Sequence, residues 1–486
     1  MNKNLNRRDF LGFIGGAVAG TALSGCTEGM LSSSVESERS AGAKPNFIII
    51  FCDDLGYGDV GCFGSKKNRT PNLDRMAAGG MRFTSFYVTS GVCTPSRSSL
   101  MTGCYPRRVN MHQDEKGLCV LFPVAKKGLN PEQVTIADLL KEQGYATCCI
   151  GKWHLGDQPQ FLPTKQGFDY YFGIPYSNDM GSRKGTNRPP LPLVRNETVI
   201  EAPADQNTLT KRYTTEAIKF IEANKDRPFF VYLPHTMPHT PLHVGGAFRA
   251  RSANGLYGDA IEELDWSVGQ ILETLRQLDL DSRTLMVFTS DNGATAQKGR
   301  SNGPLRGHKG TTWEGGMREP CVMRWPGKIP AGKTCDELAT TMDLLPTFAR
   351  LAGTKPPSDR IIDGKDIWPL MSDKKDAKSP HEAFYYYQID QLQAVRSGKW
   401  KLHLPLKQKK KNWGEPTPNV PLQLYNLEAD IAEQNNVANQ NPDIVKRLLA
   451  LVERAREDLG DVNRKGKNQW PAGWVESPRP LLRVSK

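Results

Sequence analysis

Apolar runs that stop on residues able to do chemistry, rather than on ordinary turn residues, constrain this chain more than any other feature. "NFIIIFCDDLGYGD" stops at Asp53-Asp54, "YATCCIGKWHLGD" at Lys152 and His154, "PFFVYLPHTMPHTP" at His235 and His239, and "TLMVFTSDNGA" at Asp291-Asn292. The runs are strand-like and alternate with helical patterns, which predicts an α/β sheet covered on both faces. Open α/β sheets bind ligands outside the carboxyl ends of their strands, so these ends are expected to converge on one pocket. The stretches "TPNLDRMAAGGMRF", "TIADLLKEQGY", "LTKRYTTEAIKFIEANK" and "GDAIEELDWSVGQILETLRQL" carry apolar residues at three- and four-residue spacing and are predicted helices. Towards the end, "EAFYYYQIDQLQAVRSGKWKLHL" alternates like strands, and "PDIVKRLLALVERAREDLG" reads as one amphipathic helix.

The acidic strand ends offer oxygen ligands only. Asp53, Asp54, Asp291 and Asn292 lack the thiolate or multi-histidine set that zinc prefers, so they suit a hard cation, Ca2+ ahead of Mg2+. A single Asp-Asp or Asp-Asn pair is explained by a turn or a helix cap; two pairs at strand ends favour the metal. Arg97, Lys152, His154, His239 and Lys309 would ring such a metal with positive charge and proton donors, which suits a tetrahedral oxyanion ester. Lys152 and His154 are two residues apart, a spacing that aims both at one face if the chain stays extended.

Cysteine 93 stands apart from the other cysteines. Cys52, Cys148 and Cys149 sit in strand-like runs and read as small buried residues. Cys93 lies in "GVCTPSRSSLMTG", a polar stretch expected to be turn-rich. Cys93-Thr94-Pro95-Ser96-Arg97 resembles the C-x-P-S-R signature of the formylglycine-dependent type I sulfatases, and "GYATCCIGKWHLG" resembles the second signature of that family. The segments "DDLGYGDVG", "FLPTKQGFDYYFGIPYSND", "PHTP", "DNG" and "GHKGTTWEGGMREP" follow in the order seen in its arylsulfatase A-like and N-acetylgalactosamine-6-sulfatase-like members.

That resemblance implies an alkaline-phosphatase-like fold: a large, mostly parallel mixed sheet flanked by helices, and a smaller C-terminal α+β domain with an antiparallel sheet. It implies hydrolysis of sulfate esters by a formylglycine hydrate made from Cys93, with calcium on Asp53, Asp54, Asp291, Asn292 and an oxygen of modified Cys93. Arg97 would hold the hydrate, His154 would hydrogen-bond it, and Lys152, Ser177, His239 and Lys309 would contact the sulfate. A formylglycine-generating or anaerobic sulfatase-maturating enzyme is an implied partner. Two other readings stay open: a formylglycine-dependent phosphodiester or phosphonate monoester hydrolase, and a surface glycan-binding protein in which Cys93 is never converted.

The N-terminus reads as an address. Arg7-Arg8 followed by a Gly- and Ala-rich apolar run resembles a twin-arginine signal, and Leu23-Ser24-Gly25-Cys26 resembles a lipobox with Cys26 as acylation site. The expected organisation is a signal over 1–26, a flexible tether over 27–44, a catalytic domain over 45–375 and a small domain over 376–486. Periplasmic or cell-surface placement follows, with membrane contact only through the lipid anchor. The net charge of +12 favours anionic partners, and the absence of zinc-finger or RNP-like spacing argues against nucleic acid. Sulfated carbohydrates or aryl sulfates are the expected substrates, and "PLKQKKKNW" and "NRKGKNQWPAGW" either touch an anionic glycan or form a solvated loop and a packed tail.

Overall fold

The strand Asn46–Cys52 shows why this molecule is layered. Phe47, Ile49 and Phe51 enter one core, while Ile48, Ile50 and Cys52 enter another on the opposite face of the sheet. A strand apolar on both faces must be covered twice. In this computed structural model, which describes residues 44–406 and 421–482, helices Ile136–Glu142 and Leu344–Leu351 cover the first face. Helices Pro71–Ala78, Leu209–Ala223 and Gly255–Gln277 cover the second. The segment expected to be a signal, all of the expected tether except Lys44, and most of "PLKQKKKNW" lie outside the described residues.

The main sheet has 11 strands and mixed direction. Thr284–Ser290, Asn46–Cys52, Phe229–Pro234, Ala146–Lys152 and Tyr170–Ile174 lie side by side and parallel. Antiparallel strands flank them: Arg318–Arg324 beside Thr284–Ser290, and Leu193–Arg195 beside Tyr170–Ile174. Four of the adjacent parallel strands are the four runs singled out in the sequence, so their carboxyl ends open side by side at one edge. Gly151 allows the close packing there: a Cβ on it would lie 1.9 Å from the Pro234 carbonyl oxygen.

A second sheet, antiparallel and four-stranded, runs Phe384–Gln388, Gln391–Ser397, Trp400–His403, Gln423–Asn426, with helix Pro442–Asp458 packed on it. Each predicted helix is present. The stretch after Cys93 is the exception: Cys93–Thr102 forms a 10-residue helix where turns were expected. Serine, threonine and proline dominate it and give no apolar period, so tertiary burial of every residue, not propensity, makes it helical. Cys52, Cys148 and Cys149 are buried free thiols, as expected. The "NRKGKNQWPAGW" tail is packed at Gly473–Trp474, which pairs with Lys127–Gly128, and at Trp470, whose N–H donates to the Arg108 carbonyl over 2.6 Å. Among the described residues, no helix is long and apolar enough to cross a membrane.

Candidate active site

Cys93 opens the helix Cys93–Thr102, at the end where unpaired backbone N–H groups favour negative charge. Its Sγ lies 3.4 Å from Asp53 Oδ1 and 3.8 Å from Lys309 Nζ. One turn on, Arg97 is wholly buried and places Nε and Nη2 at 3.0 and 2.7 Å from Asp291 Oδ2. Its Nη1 donates to the Lys152 carbonyl over 2.9 Å, and Nη2 is 3.8 Å from Asp53 Oδ1. Arg97 therefore braces the carboxylates from beneath.

The two acidic strand ends interlock. Asp54 takes a left-handed backbone, φ 64°, two residues past the end of the strand Asn46–Cys52, a conformation that aspartate tolerates better than bulkier residues. Its N–H donates to Asp291 Oδ1 over 3.2 Å, and its Oδ1 accepts from Asn292 Nδ2 over 2.7 Å. Lys152 Nζ donates to Asp53 Oδ2 over 2.6 Å and to Ser177 Oγ over 3.3 Å, while Lys309 Nζ lies 2.7 Å from Asp54 Oδ1. The Lys309 loop is pinned by its own backbone: Gly310 N–H donates to the Gly91 carbonyl over 2.7 Å, two residues before Cys93. A Cβ on Gly91 would meet the Thr311 carbonyl at 2.9 Å, so the close approach needs glycine.

His239 Nδ1 is 2.9 Å from Asn178 Oδ1, and its Nε2 is 3.7 Å from Asp54 Oδ2. His154 is placed differently from the expectation. The strand stops at Lys152 and His154 turns left-handed, φ 61°, so the extended-chain argument for the pair fails. Instead Thr94 Oγ1 holds the His154 carbonyl over 3.1 Å, and the ring Nε2 sits 2.9 Å from the Leu121 carbonyl. That bond makes Nε2 the protonated nitrogen and leaves Nδ1, buried and without a hydrogen-bond partner, as a proton acceptor. His235 is separate: its Nε2 faces Ser267 Oγ at 3.2 Å and its ring lies against Tyr213.

Electrostatics follow from this crowding. Burial opposes ionisation of Asp53, but Lys152, His239, Arg97 and Lys309 outweigh it and hold the carboxyl well below the usual range. Asp54 is lowered too: Lys309 and His239 overcome its burial. Burial, together with the Asp53 charge, pushes Asp291 up to about 7. Burial and then the neighbouring Lys152 charge keep His154 neutral, well below its ordinary range; burial and then Lys309 lower His239. Lys309 is raised, since Asp54 and the other negative groups outweigh the cost of burying its ammonium.

A hard cation fits here on two observations. Ligand atoms of Asp53, Asp54, Cys93 and His239 lie within 4.8 Å of one another, and Asn292 Oδ1 is buried without a hydrogen-bond partner. A buried amide oxygen without a partner is costly unless something fills it. The structure thus brings together Cys93, Arg97, Lys152, Ser177, His239, Lys309, Asp53, Asp54, Asp291 and Asn292; for His154 it shows the Thr94 link and the unpartnered Nδ1. Sequence reasoning missed Asn178, whose only signal was its place beside Ser177. It also missed Glu319, whose two carboxyl oxygens are buried without partners and which burial, with Asp291 and Asp54, keeps from ionising.

The comparisons agree with this geometry. A family model described as Sulfatase matches residues 45–354, and one described as N-sulphoglucosamine sulphohydrolase, C-terminal, matches residues 308–458. Human arylsulfatase A is 40% identical over 448 residues, covering 84% of this chain and 87% of its own. Canine N-acetylgalactosamine-6-sulfatase is 40% identical over 391 residues, covering 77% and 74%. Among solved structures, Ps i-CgsB aligns with a TM-score of 0.74 at 33% identity over 85% of this chain and 92% of its own. PsFucS1 sulfatase from Pseudoalteromonas aligns with a TM-score of 0.77 at 28% identity over 88% and 93%. The phosphonate monoester hydrolase of Agrobacterium radiobacter, 18% identical with a TM-score of 0.58 over 85% of this chain and 94% of its own, shares the fold alone. Carried by a model that spans more than half of its length and by the site at its strand ends, this chain belongs to the sulfatase family and is a hydrolase of sulfate esters.

Proposed function

We propose that this enzyme desulfates carbohydrates, using a formylglycine made from Cys93 and a calcium ion held by Asp53, Asp54, Asp291 and Asn292. The observation that carries the reading is Cys93 itself: a buried thiol at a helix N-terminus, 3.4 Å from a carboxylate oxygen and 3.8 Å from an ammonium. As a thiol it is a poor nucleophile, because burial and then the Asp53 charge push its pKa well up. Formylglycine in its hydrated form supplies two hydroxyls on one carbon, one to attack sulfur and one to expel sulfate by returning to the aldehyde. Calcium supplies Lewis-acid polarisation and suits an oxygen, not a sulfur, at position 93.

The chain's own residues do the rest. Lys152, Lys309 and the helix N-terminus neutralise an arriving sulfate, and Ser177 steers the Lys152 ammonium. Arg97 is committed to Asp291 and to the Lys152 carbonyl, so it fixes the carboxylates in place. Lys309, whose ammonium the surrounding negative groups keep protonated, stands where it can give a proton to the departing alcohol; His239, whose Nδ1 is held by Asn178, can do so only when Nε2 is protonated as well. His154 Nδ1 accepts the proton whose removal releases sulfate.

Carbohydrate as substrate draws support from Ps i-CgsB, whose structure is also solved with k-i-k-neocarrahexaose, and from the basic charge of the chain. Export by the twin-arginine route and a lipid on Cys26 belong to the same reading, and the mass of the mature N-terminal peptide tests them. The test of function is paired: release of sulfate from a set of defined sulfated mono- and oligosaccharides, beside release of phosphate from matching phosphodiesters, with and without chelator. Sulfate release lost on chelation is the expected result; faster phosphodiester cleavage would move the enzyme to the other class.

A further inference from the structure

Resting on the proposal that the substrate is a sulfated saccharide, we infer that a cavity of about 930 Å³ beside the active site binds a further unit of the same anionic glycan. Three segments build it: the start of helix Leu209–Ala223, the loop that follows strand Phe229–Pro234, and the first half of helix Gly255–Gln277. Each of these helices leads into a parallel strand, so its first half lies at the carboxyl edge of the sheet, the edge that carries Cys93's neighbours.

A short chain of contacts joins cavity to site. His239 Nδ1 meets Asn178 Oδ1 at 2.9 Å, and Asn178 Nδ2 donates to Gln206 Oε1 over 3.1 Å. The next residue, Asn207, lines the cavity and meets His243 Nδ1 at 3.3 Å. The loop that begins at His239 reaches the cavity wall at Gly245 and Phe248. An oligosaccharide whose sulfated unit reaches Cys93 therefore has a neighbouring place to lie.

The lining matches that ligand. Phe248 and Trp266 form a tilted pair with ring centroids 5.8 Å apart, half-buried, an apolar surface on which the C–H face of a pyranose can rest. Arg212 is paired with Glu201 at 2.6 Å, and Glu263 accepts from the Gly245 N–H over 3.0 Å. Lys211 and Arg251 have no carboxylate partner among the described residues. The wall also carries Asp205, whose carboxylate accepts from the Asn207 N–H, and Glu263, which burial pushes up to about 7, so the cations keep only a small surplus at neutral pH. Aromatic surface, amide and cations together recognise an anionic sugar better than a neutral lipid or a peptide.

Affinity electrophoresis of the mature enzyme through gels containing carrageenan, chondroitin sulfate or heparin, with unsulfated agarose as reference, tests this. The wild type should be retarded by at least one sulfated gel and pass agarose freely. Trp266→Ala should weaken that retardation about fivefold or more. Lys211→Glu, on an exposed position where folding is not at risk, should do likewise. Thermal melts establish that each variant is folded. Wild type that passes every sulfated gel unretarded, or variants retarded like wild type, would overturn the inference. Sulfate release from a chromogenic aryl sulfate by wild type is scored separately: its failure removes the sulfatase chemistry, whereas the electrophoresis judges the cavity.

Discussion

Residues 305–317 run between two buried clusters of charge that look alike in composition and differ in completeness. Lys309 enters the first, with Asp53, Asp54, Asp291, Arg97 and Lys152. Glu314 enters the second, which joins the main sheet to the C-terminal one. There Glu314 accepts from Lys401 over 2.9 Å, from Tyr386 over 3.1 Å and from Tyr87, and it pairs with Arg318 at 3.3 Å. Glu433 accepts from Lys401 at 2.9 Å and from His403 at 3.0 Å, and its Oε2 takes the Glu314 backbone N–H over 2.8 Å. Among these groups no fully buried side-chain nitrogen or oxygen is left without a partner. In the first cluster Asn292 Oδ1 and His154 Nδ1 are both left without one. A saturated ionic cluster fixes geometry, whereas an unsaturated one leaves lone pairs open, which the proposed metal and proton transfer would use.

The sharpest way to separate the clusters is to remove a ligand from each. Cys93→Ser should abolish turnover, because a serine has no second hydroxyl with which to expel sulfate, and Asp53→Ala should do so because loss of one hard-oxygen ligand weakens the hold on the cation; each loss is on the order of 10³-fold or more, while the fold survives in a thermal melt. Substantial turnover by either variant would erase the distinction. His154→Ala comes next, with a loss of about 10²- to 10⁴-fold. It should slow sulfate release more than alcohol release, giving a fast first turnover of an aryl sulfate and then a slow steady state. Equal slowing of both products without a burst would place His154 earlier in the reaction.

Lys401→Met attacks the saturated cluster and should behave the opposite way. It strands Glu314 and Glu433 in the interior, a loss of about 3–5 kcal/mol of stability, while turnover per folded molecule changes far less than in Asp53→Ala. Denaturant unfolding followed beside activity decides it. Acid should act on this cluster as well. Although burial opposes its ionisation, Lys401 and then Arg318 hold Glu314 below its ordinary 4.5, so its contribution is complete above that pH and is lost as pH falls through the lower folded value.

The smallest effect is the pH dependence of metal stabilisation. Asp291, raised to about 7 by burial and Asp53, must lose its proton to bind calcium. The rise in Tm on adding calcium to chelated protein should therefore grow as pH increases through 7 and shrink below it. A calcium effect that is constant from pH 5 to 8 would show that Asp291 is not a ligand.

Much of this contrast was legible in the sequence, and the part that was not has a physical reason. The strand ends announced themselves because apolar runs stopped on Asp53, Asp291 and Lys152, and the sheet order places those runs side by side. Helix Cys93–Thr102 was hidden, since its residues are all buried and show no amphipathic period. The left-handed turn at His154 was also hidden, because histidine is only modestly enriched at positive φ and residue type alone does not announce it. Least legible was Glu433, a wholly buried residue with φ 52° that bonds Lys401, His403 and the Glu314 backbone across long stretches of chain. Long-range ionic partners are set by topology, which no local pattern encodes.

Everything assigned to the unsaturated cluster turns on the state of residue 93. The mass of the tryptic peptide that carries Cys93, taken from enzyme shown to be active on an aryl sulfate, tests it most directly. Conversion of the thiol to an aldehyde exchanges sulfur for oxygen and removes two hydrogens, so the peptide should be about 18 Da lighter than the encoded sequence. Active enzyme whose peptide retains the full thiol mass would contradict the account.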